Sequence, residues 1–205
     1  MKHVLILVFA TMMSATAHGQ SEAKPKKTTF GFSLGVLQSN FQNSNAIPGL
    51  DAGGIKNKMG YRLGLTMDRE INSQFTLAPK IDLAVNRGYL DAKVDGEFAA
   101  YTPVGATIDF MLHGTLNTSC NNDRLYILFG PNFRYALENT DFSIVEINTP
   151  NDFALDFGIG MRNNLKSFTF APELRYTIGT TNISQMAMWQ RVYNHTISLI
   201  FSFKG

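Results

Sequence analysis

The stretch Ser167–Ile178, SFTFAPELRYTI, decides the fold. One phase of it reads Phe168, Phe170, Pro172, Leu174, Tyr176 and Ile178, and the other reads Thr169, Ala171, Glu173, Arg175 and Thr177. Successive side chains of a β-strand point to opposite faces, so this segment read as a strand is greasy on one side and wet on the other. The same beat runs from Phe30 to Phe203, in segments of roughly ten residues separated by turn-like stretches. Sustained alternation argues for strands over helices. It predicts strands near 29–38, 58–69, 74–86, 101–113, 124–136, 152–163, 167–178 and 191–204. Eight such strands with one apolar face suggest an all-β fold, an eight-stranded antiparallel transmembrane β-barrel with its apolar side in lipid.

The ends agree with an exported protein. Residues Met1–Gly19 read as a signal peptide: Lys2 supplies the positive start, Val4–Ala10 the apolar core, and Ala17-His18-Gly19 the small-x-small cleavage pattern. The apolar stretch is short for a transmembrane anchor, and no later run approaches the length of a membrane-spanning helix. Removing 19 residues from 205 leaves 186, one domain's worth. Residues 20–28, with Lys24-Pro25-Lys26-Lys27, form a basic lead-in, and 29–205 form the barrel. Cys120, the only cysteine, excludes an intrachain disulfide and reads as an incidental loop thiol. Loss of Lys2 lowers the formal charge from +2 to +1, which gives no argument for nucleic-acid binding.

The connections alternate in length. Those near 39–57, 87–100, 137–151 and 179–190 are long, those at Ile71-Asn72-Ser73 and Asn164-Leu165-Lys166 are short, and His113–Asp123 is intermediate. Long loops at one end and short turns at the other are typical of outer-membrane barrels, with the long loops outside and both termini in the periplasm. Pro79, Pro131 and Pro172 fall inside predicted strands, where each removes a ladder donor, and are expected to mark bulges.

The inward phase carries Arg62, Lys80, Arg134, Arg162 and Arg175 against Asp68, Asp82, Asp109, Asp156 and Glu173. The interior of an eight-stranded barrel is only wide enough for side chains, and burying paired charges there costs far less than burying lone ones. The expected lumen is a salt-bridged plug rather than a pore. Gly60, Gly64, Gly105, Gly130, Gly158 and Gly160 share this phase and leave room for the arginines. A soluble lipocalin-like barrel, with the apolar face turned inward around a ligand, has the same period. Strand length, the loop rule and the charged minor face favour the membrane reading, as do Tyr61, Tyr135, Tyr176 and Tyr193 near strand ends, where interfacial aromatics sit.

Chemistry is sparse. Outside the signal only His113 and His195 remain, on different strands, and no His or Cys pair has metal-ligand spacing. Gly158-Ile159-Gly160 lacks the third glycine and the helix of a nucleotide fingerprint. His195 lies in the outward phase as a candidate base, but Ser198 points inward, so an interfacial role replaces a catalytic one. No enzymatic activity, cofactor or metal is expected.

Four stretches in order, Leu125–Tyr135 (LYILFGPNFRY), Asp156–Met161 (DFGIGM), Ala171–Ile183 (APELRYTIGTTNI) and Asn194–Lys204 (NHTISLIFSFK), resemble the PorT-like outer-membrane barrels of Bacteroidetes. The resemblance covers Tyr101 to the C-terminus, and Pro172–Tyr176 is its most specific element. Phe201-Ser202-Phe203 is similar to the aromatic ending read by the barrel-insertion machinery, with Lys204 and Gly205 as a departure. The resemblance implies an outer-membrane, Gram-negative location. For the name-giving members it implies an accessory role in type IX protein secretion. It brings no catalytic residues.

The expected protein is a monomeric barrel contacting outer-membrane lipid, and through its loops other envelope or secretion proteins. As a stand-alone envelope barrel it would instead bind a ligand or surface by those loops. The first loop is rich in Asn40, Asn43, Asn45, Gly49, Gly53 and Gly54; the fourth offers Met186, Met188 and Trp189 as a partner contact or an interfacial belt.

Overall fold

Eight long strands follow one another around a closed antiparallel cylinder in the computed structural model, which describes residues 28–43, 52–56, 59–86, 89–94, 97–101, 105–118, 125–137, 140–142, 145–147, 151–183 and 191–205. They are β1 (Thr28–Asn43), β2 (Met59–Glu70), β3 (Phe75–Val85), β4 (Ala106–Asn117), β5 (Leu125–Ala136), β6 (Asp152–Met161), β7 (Thr169–Gly179) and β8 (Val192–Lys204). Each pairs with its sequence neighbours, and β1 closes the ring by pairing with both β2 and β8. Asn163–Asn164 continues the β6 edge against Phe170 and Thr169. Among the described residues no helix is long and apolar enough to cross a membrane; the crossing elements are the strands.

The stagger of the ring can be followed through the ladders. From Gly35, stepping across Arg62, Ala84 and Thr107 arrives on β5 at Ala136. Stepping the other way, across Ile200, Glu173 and Gly160, arrives on the same strand at Tyr126, ten residues away. That offset is what tilts the strands and sets a bore only wide enough for side chains.

Burial follows the alternation. On β2 Arg62, Gly64, Thr66 and Asp68 are buried, while Leu63 and Leu65 are exposed, Leu65 by 68%. The apolar phase is therefore outside and the charged phase inside, the reverse of a lipocalin-like barrel. The strand ends joined by the longer connections, those of β1 and β2, β3 and β4, β5 and β6, and β7 and β8, lie at one end of the cylinder, and the ends of β2 and β3, β4 and β5, and β6 and β7 lie at the other. In the first short turn Asn72 Oδ1 accepts from the backbone N–H of Gln74 and Phe75 at 2.9 and 2.7 Å, and this stops β2 and starts β3.

Three expectations need correction. The fourth strand is Ala106–Asn117, not 101–113. Glu97–Tyr101 instead pairs with Tyr89–Val94, which pairs with Ala52–Lys56, so the first two long connections share a small sheet. Asn40 and Asn43 belong to β1, which runs on past residue 38. The in-strand prolines make no bulges. The β2–β3 ladder passes from Thr66↔Lys80 to Arg69↔Leu77 in unchanged register, skipping the positions around Pro79. The β4–β5 ladder skips from Met111↔Asn132 to Gly114↔Phe129 around Pro131, and the pairing beside β7 skips between Gly160↔Glu173 and Asn163↔Phe170 around Pro172. A proline has no N–H to give, so a local lapse accommodates it without displacing any other residue. Gly130, beside Pro131, lets β4 approach closely: a methyl group there would meet the carbonyl oxygen of Leu112. The signal peptide, the lead-in up to Lys27, Cys120, and Met186, Met188 and Trp189 lie outside the described residues.

Leu199 sits mid-strand on the outward face of β8, 42% exposed, with Val36 and Leu174 opposite it on β1 and β7. Leu199→Arg is expected to destabilise the lipid-embedded barrel by about 2–4 kcal/mol, read from urea unfolding in phospholipid vesicles, whereas Leu199→Ile leaves the midpoint close to wild type.

Candidate functional site: a charge-filled lumen between two aromatic girdles

The inward side chains form polar clusters along the bore, an Arg134–Asp152 pair at the long-loop end and a larger connected group below it. At the long-loop end Arg134 donates to Asp152 and, at 2.9 Å, to the backbone oxygen of Asn194. Asp152 also accepts from the N–H of Thr181 at 3.2 Å. Below this, Arg62 Nη2 contacts Asp109 Oδ2 at 2.5 Å and Arg62 Nη1 lies 3.6 Å from Asp82. Thr107 donates to the other oxygen of Asp109 at 2.6 Å.

The middle is organised by Arg175, which is essentially without solvent contact. Its Nε and Nη2 both reach Glu173 Oε1, at 2.9 and 2.5 Å, and its Nη1 lies 3.7 Å from Asp82 and 3.8 Å from Asp156. Glu173 Oε2 accepts from Lys80 at 2.9 Å and from the Tyr126 hydroxyl at 3.1 Å. Asp156 is held by His113 Nε2 at 2.8 Å and by the Asn132 amide at 3.2 Å. At the short-turn end Lys204 Nζ reaches Asp68 at 2.6 Å, and Arg162 Nη2 stands 3.8 Å from the same carboxylate. The Arg162 guanidinium lies over the Tyr126 ring, 4.6 Å from its centroid, and donates to Thr115 at 3.0 Å and to Asn117. Gly160 makes this possible, because a side chain there would collide with the Tyr126 ring.

The structure thus places Arg62, Asp68, Lys80, Asp82, Asp109, Arg134, Asp156, Arg162, Glu173 and Arg175 in the bore and brings all but Arg134, whose carboxylate partner is Asp152, into contact with others of the set or with Tyr126 between them. Sequence reasoning missed Asp152, Lys204 and His113. All three occupy the inward phase, Asp152 and Lys204 at strand ends and His113 one step beyond Met111, so the alternation itself held the signal. With them the described bore holds six carboxylates against six cations, plus one imidazole. A cavity of about 570 Å³ opens at the short-turn mouth, lined by Asp68, Thr76, Asn117, Arg162 and Lys204 among others.

Outside, the two ends differ in their aromatics. Tyr61, Tyr135, Tyr176 and Tyr193 lie on the long-loop half. The short-turn half carries phenylalanines: Phe203 stacks on Phe32 at 5.1 Å and touches Phe170 at 5.4 Å, and Phe170 stacks on Phe201 at 6.0 Å. His195 lies on this outer surface against Tyr176, while Ser198 is buried in the bore, so Ser198 does not meet the imidazole. Among the described residues no cluster of three or more His, Cys, Asp or Glu could hold a metal ion.

This architecture has relatives. Residues 18–185 match the family model of the outer membrane protein beta-barrel domain. The chain belongs to that family. Among solved structures, Neisserial surface protein A is similar with a TM-score of 0.51 at 9% identity, over 85% of this chain and 95% of that one. The outer membrane protein OprG from Pseudomonas aeruginosa is similar with a TM-score of 0.51 at 11% identity, over 86% and 92%. At these identities the likeness is one of fold. No curated protein sequence matches the chain. Family and fold together place the protein in the outer membrane, with lipid against its apolar face.

Glu173→Ala removes the carboxylate shared by Lys80 and Arg175. Breaking such a buried pair is expected to cost about 3–5 kcal/mol, measured as unfolding free energy in vesicles. Pairing it with Lys80→Met is expected to recover part of that loss, because one of the two stranded cations is gone.

Proposed function

We propose that this outer-membrane barrel is a non-enzymatic, non-conducting scaffold of PorT-like type, whose long loops face outside the cell and do its work by binding. The observation that carries the reading is the filled bore. Arg175, Glu173, Asp156 and Lys80 meet across its middle with almost no solvent contact, which leaves no wet path for a solute. With transport removed, what remains to act is the loop end, where rigid scaffolds concentrate binding. The pairing of Ala52–Lys56, Tyr89–Val94 and Glu97–Tyr101 supports this, since it extends ordered backbone beyond the barrel rim. Closure of the ladder supports a monomer, because the barrel keeps no open strand edge for a second chain.

Two kinds of partner fit the scaffold. An accessory role in type IX protein export is supported by the resemblance of Leu125–Tyr135, Asp156–Met161, Ala171–Ile183 and Asn194–Lys204 to PorT-like barrels. A stand-alone envelope barrel binding a ligand or surface is supported by the loop sheet alone. A cleaved signal at Met1–Gly19 serves both.

Reconstituted into planar bilayers, the barrel is expected to give no stepwise ionic current; stable conductance steps from the folded monomer would overturn the scaffold reading. The export role is read from the extracellular protein profile of a strain lacking this gene. Secreted proteins retained in the periplasm and released on complementation support it, and an unchanged profile assigns the stand-alone role.

A further inference from the structure

The lipid-facing surface is not uniform around the cylinder. On β1 the outward phase runs Phe30, Phe32, Leu34, Val36 and then turns polar at Gln38 and Asn40. On β8, read from the same end, it runs Phe203, Phe201, Leu199, Ile197 and then turns to His195 and Tyr193, with Arg191 just ahead of the strand. The register sets Asn40 opposite His195. On β5 and β6, by contrast, the apolar phase continues to Leu137 and Phe153 at the long-loop end. The hydrophobic belt therefore dips along the β1–β8 seam, and the dip is polar in a particular way. Gln38, Asn40, His195, Tyr193 and Arg191 can all donate hydrogen bonds, and none is a carboxylate. Arg191 is exposed, and the His195 ring is held nearly parallel to Tyr176, with centroids 6.2 Å apart and planes 8° apart.

Directly beneath these donors lies a second feature. Tyr176 and Ile197 form the upper edge of an outward groove of about 600 Å³ that crosses to β5, walled by Phe129, Phe157, Ile159 and Leu174. Donors and one cation, Arg191, at the level of the tyrosines, above an open apolar groove, match the two halves of one kind of molecule.

We propose that this face holds a single phosphate-bearing membrane lipid, with its headgroup phosphate beside the Asn40–His195 pair, on the side toward Arg191, and an acyl chain in the groove below. Charge-assisted hydrogen bonds to a phosphate select for that headgroup, and the groove selects for a membrane lipid over a free anion. The assignment rests on the placement of the barrel in the membrane and is independent of whether the loops serve export.

The test is native mass spectrometry of the folded protein in non-ionic detergent, offered dioleoylphosphatidic acid or dioleoylglycerol, which share tails and differ in the phosphate. Wild type is expected to retain the phosphatidic acid roughly tenfold better, the scale of one charge-assisted contact. Arg191→Gln/His195→Gln is expected to bring the two lipids within about twofold, and Ile159→Trp, which fills the groove, to weaken both. Arg69→Gln, which removes a cation on the outward phase of β2 at the opposite end, is expected to leave the preference intact. An equal loss with Arg69→Gln would reduce the effect to general charge attraction and overturn the site. So would an unchanged preference in the double variant, or displacement of the lipid by inorganic phosphate that binds by itself. Unboiled gel mobility confirms that each variant is folded before it is scored.

Discussion

Backbone hydrogen bonding in a medium without water is the constraint on which the rest of this structure depends. An unpaired N–H or C=O in hydrocarbon costs several kcal/mol, so a membrane-crossing sheet has to end where it begins. Here β1 accepts that task, pairing on one side with β2 and on the other with β8. Once closed with a ten-residue offset, the cylinder has a fixed and narrow bore, and every inward side chain must fit within it. The outward side chains face lipid and need only be apolar. Two chemically opposite surfaces thus follow from one requirement.

A narrow bore also dictates how charges can be kept. Lone ions there would be prohibitively costly, whereas ions that share partners are tolerable when their remaining lone pairs and protons are also engaged. Glu173 shows the pattern: two oxygens serve Lys80, Arg175 and Tyr126 together. The contacts also join distant parts of the chain, with Lys204 and Asp68 lying 136 positions apart. Ion pairs that replace an apolar core in this way do little for stability relative to well-packed hydrophobic side chains, but they specify which strand sits where.

Much of this could be read from the sequence because the period of a strand is fixed at two. Every inward charge named from the alternation of Phe30–Phe203 occupies the bore. The fourth strand runs past residue 113 to Asn117 although Gly114, in the outward phase, interrupts the apolar beat. The structure gives the reason: the rings of Phe75 and Phe129 cover Gly114, so the lipid-facing surface stays apolar without a side chain of its own. The sheet joining Ala52–Lys56 to Tyr89–Val94 was illegible for another cause, since pairing between separate loops leaves no periodic trace in either. Lys204 read as an exception to an aromatic ending, and its partner Asp68 could be found only once the ring was closed.

The three proline lapses share a location with a mechanical meaning. Each lies within a hairpin closed by a short turn, between β2 and β3, β4 and β5, and β6 and β7. The pairings of β1 with β2, β3 with β4, β5 with β6 and β7 with β8 run without such gaps, as does the seam between β8 and β1. The wall is thus built of stiff panels joined along softer slits. The charges packed across the bore brace such a tube against flattening, so strand separation under lateral load would begin at these slits and not at the seam between β8 and β1.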